Sequence, residues 1–405
     1  MVRLTAITND PRAYAWGRPG GISALLGRPA TSAPEAELWF GAHPASPSRS
    51  IHADAPWSTL LEWEGASGTR LPFLMKVLSA ATPLSLQAHP DDAQARAGFV
   101  REDAAGIPRT HPQRSYKDPH AKPELVVALR DGFEALCGFR DVGAVIMNLD
   151  QLAAWGCGPE AGGLRALLTG DQPYRAALAW LLSGDPEPKA LANDLTRICA
   201  ESPARLPGLA RIARFYPGDP GLAVAMLLNH VVLDAGEALW LPAGNVHAYL
   251  QGDGLELMGP SDNVLRGGLT PKHIDVAELQ RVVRFDAAPA SRLLPERLAR
   301  SLVTYAPSQV GSGRDVDFQL LCATGTCELP LGSPAIALCT SGRFRLTSAQ
   351  GTLKVSIGEA VMIDGMGALT AEGAGQLFVA TGGSLGSAAT AAADDVRRRR
   401  DHEQR

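Results

Sequence analysis

The segment Leu84-Ser-Leu-Gln-Ala-His-Pro90 constrains this chain more than any other. Alternate side chains of an extended strand share a face, so Gln87 and His89 point together while Leu84, Leu86 and Ala88 pack the opposite side. Pro90 and Asp91-Asp92 end the strand. An amide and an imidazole side by side, backed by a core, offer half of a metal site. Taken alone, the stretch favours the plainer reading, a polar strand face with a hydrogen-bonded histidine. The residues downstream decide between the two.

Composition sets the outer bounds. At 405 residues the chain exceeds one hydrophobic core, and two or three domains are expected. A hydrophobic content of 45% and a charged content of 20% describe an ordinary globular protein, and a net charge of −4 gives no reason to expect nucleic acid as a partner. No apolar run reaches the ~18 residues of a membrane span, and no charged-then-apolar signal pattern opens the chain. The expectation is a cytoplasmic protein without a membrane partner. The cysteines (Cys137, Cys157, Cys199, Cys322, Cys327, Cys339) are scattered, with no CxxC pair, as expected of reduced, buried thiols. Lysine is scarce, six against 32 arginines, yet Lys117, Lys122 and Lys272 all fall inside polar motifs. The two cations differ in shape and hydration, so these placements suggest sites that fit only an ammonium.

Residues 1–60 read as short strands and loops. Strand-like segments follow at Leu71–Ser79, Leu84–His89, Pro123–Leu129 and Phe133–Phe139. Residues 92–121, polar and carrying Pro108, Pro112 and Pro119, read as a long irregular loop. From about 141 to 231 the pattern is helical. Asp171 can cap a helix with Pro173 in its first turn, and Asp219-Pro220 opens another with Ala223, Met226, Leu227 and Val231 at helical spacing. Strands resume at Gly236–Pro242 and run through Met258; 274–283 is helix-like, and 301–381 reads as short strands with Gly turns. The run Asp394–Arg405 reads as a solvated, disordered charged tail. One internal echo stands out. Gly236-Glu-Ala-Leu-Trp-Leu-Pro and Gly358-Glu-Ala-Val-Met-Ile-Asp share a turn and a strand; eleven residues after the first glycine sits His247, and eleven after the second sits Leu369.

Three polar interruptions of apolar strands carry the chemistry. They are Gln87 with His89, Lys117-Asp-Pro-His-Ala-Lys-Pro-Glu124, and Pro242-Ala-Gly-Asn-Val-His-Ala-Tyr249 with His247. Two His, one Glu and one Gln can hold zinc or another divalent ion with positions left open. Glu124 is the only anion among them, so such a site stays net positive. His43, His52, His111, His230 and His273 lack comparable settings. Glu256 lies on a strand between apolar neighbours, and Ser261–Lys272 is a Gly-bounded loop with Asp262, Asn263, Arg266 and Lys272. Arg and Lys with a Ser hydroxyl suit a phosphate monoester. An acid such as Glu256 beside a divalent cation can shuttle a proton.

Together these segments resemble type I mannose-6-phosphate isomerases, the zinc-dependent phosphomannose isomerase family of the cupin superfamily. The resemblance rests on Tyr14-Ala-Trp-Gly17, Ala36-Glu-Leu-Trp-Phe-Gly-Ala-His43, Leu71-Pro-Phe-Leu-Met-Lys76, Pro83–Asp92, Tyr116–Leu129 and Gly236–Asp275. It implies a mainly β fold with an all-α insertion: two cupin-like jelly-roll barrels plus a helical domain. Residues 1–140 and 232–290 would form the catalytic barrel, 141–231 the helical domain, 291–390 a second barrel without a metal site, and 391–405 the disordered tail. It implies one zinc ion per chain on Gln87, His89, Glu124 and His247. Arg266, Glu256, Asp262 and Lys122 would be catalytic, with Ser85, Lys76 and Lys272 contacting phosphate or sugar. Many relatives read Asn-His-Lys-Pro-Glu where this chain has His120-Ala121-Lys122-Pro123-Glu124. Because a one-residue shift turns a strand side chain to the other face, the role of that imidazole is in doubt here unless His120 substitutes.

The implied reaction interconverts mannose 6-phosphate and fructose 6-phosphate through an enediolate, with a sugar phosphate as the only partner and a monomer expected. The sequence does not choose between Glu256 and Asp262 for the proton transfer. Two rivals stand beside it, an iron-dependent cupin oxygenase and a non-catalytic sugar-binding cupin protein. Gln as a ligand and the phosphate-suited cations argue against the first, and the complete ligand set against the second.

Overall fold

The computed structural model describes residues 2–383 apart from 30, 53 and 314. The expected tail, 391–405, lies outside the described residues. The chain is mainly β-sheet with several helices, built on two nine-stranded sheets. Neither sheet closes into a barrel among the described residues.

The first sheet carries the polar motifs. Its spine is the long strand His247–Met258, which changes partners half way. Its beginning pairs with Phe133–Phe139 and, at His247↔Gln87, with Leu86–Ala88. Its end pairs with Leu74–Ala80 and Glu124–Ala128. A bulge between Tyr249 and Gln251 marks the change of partner. Leu265–Gly268 continues from Leu86–Ala88, with Arg266 opposite Gln87. The strands Leu74–Ala80 and Glu124–Ala128 are buried at every position, so a polar residue in them is turned inward wherever it points.

The second sheet is made of longer strands than the Gly turns suggest: Phe318–Leu331, Ala335–Ser348 and Gly367–Gly382, with bulges absorbing the glycines. The sequence reading grouped residues 1–140 with the first unit, yet Arg3–Thr8 pairs with Ala360–Asp364 in this second sheet. One apolar cluster packs the sheets together, from Leu38, Phe40, Trp240 and Leu255 on one side to Leu320, Ile336 and Phe378 on the other.

Six helices fill Val142–Met226, and their apolar faces share a cluster with Leu86, Ala88 and Leu265 beside the polar motifs. Helix Pro173–Leu181 starts at Gln172 rather than Asp171, with Pro173 in its first turn as expected. Asp219 accepts from the Gly221 N–H at 2.7 Å, but helix Gly221–Met226 is short. Val231, expected on that helix, lies in strand Leu228–Leu233. Residues 92–121 hold helix Asp92–Ala104, which replaces the first half of the expected loop; its capping box joins Asp91 and Gln94.

That helix rests on the ring of Tyr116, fully buried, whose hydroxyl donates to Glu278 at 2.6 Å. Glycine to alanine in a solvated helix stabilises by roughly 1 kcal/mol. At Gly98 the added methyl would sit 2.5 Å from ring carbons of Tyr116 that have nowhere to go. Gly98→Ala is therefore expected to lower stability by about 1–3 kcal/mol. Denaturant unfolding checks this, and a neutral or stabilising change would refute the packing.

Candidate metal centre and substrate cavity

Three backbone segments deliver the four presumed ligands. Gln87 and His89 come from and just after Leu86–Ala88, Glu124 opens Glu124–Ala128, and His247 opens His247–Met258. One ligand atom each from His89, Glu124 and His247 lies within 4.8 Å of the others, and all three residues are buried. His89 Nε2 stands 3.3 Å from Glu124 Oε1, and His247 Nε2 stands 3.1 Å from Oε2. These are ion-pair distances without hydrogen-bond directions, for His89 Nε2 and Glu124 Oε2 have no hydrogen-bond partner. Such atoms point at a common centre rather than at one another.

The opposite ring nitrogens explain why. His89 Nδ1 lies 2.7 Å from the Asn263 carbonyl, and His247 Nδ1 lies 3.0 Å from the Asn245 carbonyl. A carbonyl only accepts, so each Nδ1 carries the proton and each Nε2 presents a lone pair. Gln87 Nε2 is 3.4 Å from His247 Nε2; turned about its last bond, the amide would present its oxygen instead. Two imidazole nitrogens, a carboxylate and an amide oxygen fit a divalent metal ion.

Charge at the centre agrees. Burial alone would raise the Glu124 carboxyl, but the charge of Lys122 (Nζ to Oε1, 3.1 Å) leads the groups that outweigh it and hold the carboxyl well below the usual range. Burial, followed by the nearby Lys122, pushes the His89 imidazole down to about 4. Its neutral, ligating form therefore persists well into acid.

A cavity of about 340 Å³ opens over this centre, lined by Gln87, Glu124, Lys122, Ser85, Lys76, Glu256, Arg266 and Lys272 among others. At one end Glu256 accepts from the Tyr249 hydroxyl at 2.9 Å, and Lys76 Nζ lies 3.2 Å from its other oxygen. Burial and then the Glu124 charge raise the Glu256 carboxyl, against Lys76 and Lys122. Burial works against the Lys76 ammonium, but Glu37, Glu256 and Glu124 together raise it, so it stays charged. Arg266 and Lys272 stand elsewhere on the wall; burial lowers both, and Lys272 feels the further repulsion of Arg266 and Lys117. Among the described residues neither makes a salt bridge, which leaves two cations facing an open cavity. Their loop bends through Leu269, the one non-glycine positive φ among the described residues (56°), whose N–H donates to Asp219 at 3.3 Å.

Asp262 is placed elsewhere. Its Oδ2 lies 3.3 Å from His43 Nε2, whose hydrogen bond, against burial, lowers the carboxyl to about 2. It lines an adjoining cavity of about 370 Å³ with His43, Lys117, Asp118 and His120. His120 likewise faces away from the metal cavity, where Ala121 leaves no imidazole. Glu37, Tyr14, Trp16 and Tyr249 also line the cavity, and sequence reasoning gave them no role. Glu37 is held by the Trp39 indole N–H at 2.9 Å and lies 3.7 Å from Lys76 Nζ. Its one visible signal is an acid inside the apolar run Leu38-Trp39-Phe40.

Residues 4–142 match the family model for phosphomannose isomerase type I, catalytic domain. The chain is 37% identical over 380 residues to mannose-6-phosphate isomerase of Escherichia coli strain K12, covering 89% of this chain and 94% of that protein. Mannose-6-phosphate isomerase 1 of Arabidopsis thaliana is 30% identical over 406 residues, covering 89% of each. A solved zinc-bound mannose 6-phosphate isomerase superposes with a TM-score of 0.83 at 33% identity, covering 94% of this chain and 100% of that one.

The depressed His89 gives a pH dependence with a definite sign. An unfolded histidine titrates near ~6.5, whereas His89 in the metal-free fold titrates at about 4. Between these values the unfolded chain binds a proton that the folded one refuses, so stability rises with pH there. It is whole above ~6.5 and lost as pH falls toward 4. The melting temperature of metal-free protein should drop across that window, and His89→Gln should flatten the drop.

Proposed function

We propose how the cavity residues divide their work, from the premise that this chain belongs to the type I phosphomannose isomerase family. The chain is a metal-dependent mannose-6-phosphate isomerase, interconverting mannose 6-phosphate and fructose 6-phosphate, and its cofactor is zinc. An oxygenase or a purely sugar-binding role finds no support among such relatives. The observation that carries the reading is the convergence of unpartnered His89 and Glu124 atoms beneath a cavity that also holds Glu256 and unpaired cations.

Gln87, His89, Glu124 and His247 hold the zinc ion. Bound there, it supplies a positive centre that polarises the substrate oxygens on C1 and C2 and steadies the enediolate. Glu256 moves the proton between C1 and C2. Burial and then the Glu124 charge raise its carboxyl, which makes it a stronger base, while Tyr249 and Lys76 hold its oxygens. Lys122 adds positive charge beside Glu124, near the developing enediolate. Arg266 and Lys272 grip the phosphate, with Ser85 on the same wall. Asp262, turned toward His43, acts by holding the loop rather than at the reacting carbons.

Two cupin-like units are proposed, 1–140 with 232–290 and 291–390, with residues 141–231 as a helical domain between the halves of the first; Arg3–Thr8 and Arg49–Ser50 then cross over to pair in the sheet of the second unit. The echoed turns at Gly236 and Gly358 support this grouping. The enzyme is further proposed to work as a cytoplasmic monomer that meets neither nucleic acid nor membrane. Among the described residues no helix is long and apolar enough to cross a membrane.

Stripping the metal with a chelator should abolish turnover of mannose 6-phosphate in a coupled assay, and zinc should restore it. Activity that survives complete removal would overturn the metal role. Glu256→Gln should lower kcat by about 100-fold or more with normal zinc content, and near-normal turnover would reassign the proton transfer.

A further inference from the structure

Asn263 is fully buried, and its amide is used to capacity. Oδ1 accepts from the backbone N–H of Lys117 at 2.7 Å and of Asp118 at 3.2 Å. Nδ2 donates to the backbone carbonyls of Asp118 at 2.7 Å and His120 at 2.9 Å. An amide has two acceptor and two donor positions, and here backbone groups fill each with its only fitting kind. The orientation of the amide is therefore forced. An aspartate could not donate to the two carbonyls, and an apolar residue would leave four backbone groups of the 117–120 loop without partners.

The main chain of the same residue reaches the metal centre. Its carbonyl takes the Nδ1 proton of His89 at 2.7 Å, which turns the His89 Nε2 lone pair inward. Ser261 Oγ accepts the Asn263 N–H at 3.2 Å and donates to the His120 carbonyl at 3.1 Å. Asp262 N–H adds a bond to Asp118 Oδ2 at 2.9 Å. Three segments thus meet at one residue, through its side chain and its main chain together: the end of the Gln87 strand, the loop that leads to Lys122 and Glu124, and the loop that runs on to Arg266 and Lys272.

We infer that Asn263 is a positioning residue, whose buried amide locks the Lys117–His120 loop to the Ser261–Lys272 loop and so sets His89 and Glu124 at the spacing zinc needs while holding Arg266 over the cavity. The inference rests on the metal reading of His89 and extends it to a residue that touches neither metal nor substrate. The connection is a set of backbone hydrogen bonds, which tolerates little drift.

The test compares wild type, Asn263→Ala and Asn263→Asp, each stripped of metal and titrated with zinc against a chelating indicator. Wild type that binds no zinc would fail the metal reading itself, and this inference with it. With wild type binding, both variants should lose zinc affinity by about 10–100-fold and show a raised KM for mannose 6-phosphate when zinc is saturating. Asn263→Asp should be the worse, since it sets a carboxylate against two carbonyl oxygens. Variants that melt lower without metal yet bind zinc and substrate as wild type does would reduce Asn263 to a purely structural role and overturn the inference. Should neither variant fold, Ser261→Ala probes the same clasp more gently. A several-fold loss of zinc affinity is expected there, and an unchanged affinity refutes the inference.

Discussion

The structure turns on one buried carboxylate. Glu124 is 1% exposed, and an ion at that depth costs several kcal/mol unless its charge is met. Lys122 meets one oxygen. The two imidazoles nearest the carboxylate do not complete the compensation, because backbone carbonyls hold their protons on the far nitrogen and lone pairs face the carboxylate. Only a cation at the common point satisfies all three groups. The arrangement of strands and loops around Glu124 follows from keeping that point available. Carbonyls must stand behind each imidazole, and the loops that bring them must be tied down.

The distance between His247 and Glu256 is set by backbone as well. Tyr249 and Glu256 lie on one strand, seven residues apart, a span of about 23 Å if the strand ran straight. Yet the Tyr249 hydroxyl reaches Glu256 Oε1 at 2.9 Å. The strand must therefore bend, and the bulge after Tyr249 with Gly252 at φ 115° supplies the bend. A Cβ at Gly252 would meet the Phe133 backbone at 2.7 Å, so glycine is required there by space as well as by conformation. One bent strand delivers His247 to one side of the cavity and Glu256 to the other.

This logic separates what the sequence discloses from what it hides. Gln87, His89, Glu124 and His247 are legible because each interrupts an apolar strand, and a polar residue on an all-buried strand needs a partner. The cations of the Ser261–Lys272 loop are legible for another reason, as Arg and Lys beside a Ser hydroxyl in a Gly-bounded loop, the groups a phosphate needs. Helix Asp92–Ala104 is not, because its long exposed face carries no apolar stripe; only the Asp91–Gln94 capping box marks it. Val231 continues a helical spacing past the point where the chain enters a sheet, and only strand Phe133–Phe139 across from it decides the matter. Glu37 looks like the polar side of a short strand until Lys76 is placed beside it. Which of Glu256 and Asp262 lines the metal cavity depends on the direction of a loop, and the Asp262–His43 contact is visible only in three dimensions. The pairing of Arg3–Thr8 with Ala360–Asp364 leaves no local trace at all.

The internal echo carries the argument about Glu124 one step further. Gly236 and Gly358 both adopt positive φ, 87° and 80°. The glutamate after each accepts a backbone N–H three residues back, Glu237 from Asp234 at 2.9 Å and Glu359 from Ser356 at 2.7 Å. The strands that follow are registered alike: Leu241 lies opposite Glu124 in the first sheet, and Ile363 lies opposite Ala335 in the second. The position matching His247 is Leu369, fully buried like Ala335. Carboxylate and imidazole are thus both replaced by apolar residues, never one alone. A lone buried glutamate without its cation, or an imidazole pointed at nothing, would cost more than the apolar pair. Among the described residues the position opposite each echoed strand thus carries a paired choice, carboxylate with imidazole in the first sheet and two apolar residues in the second.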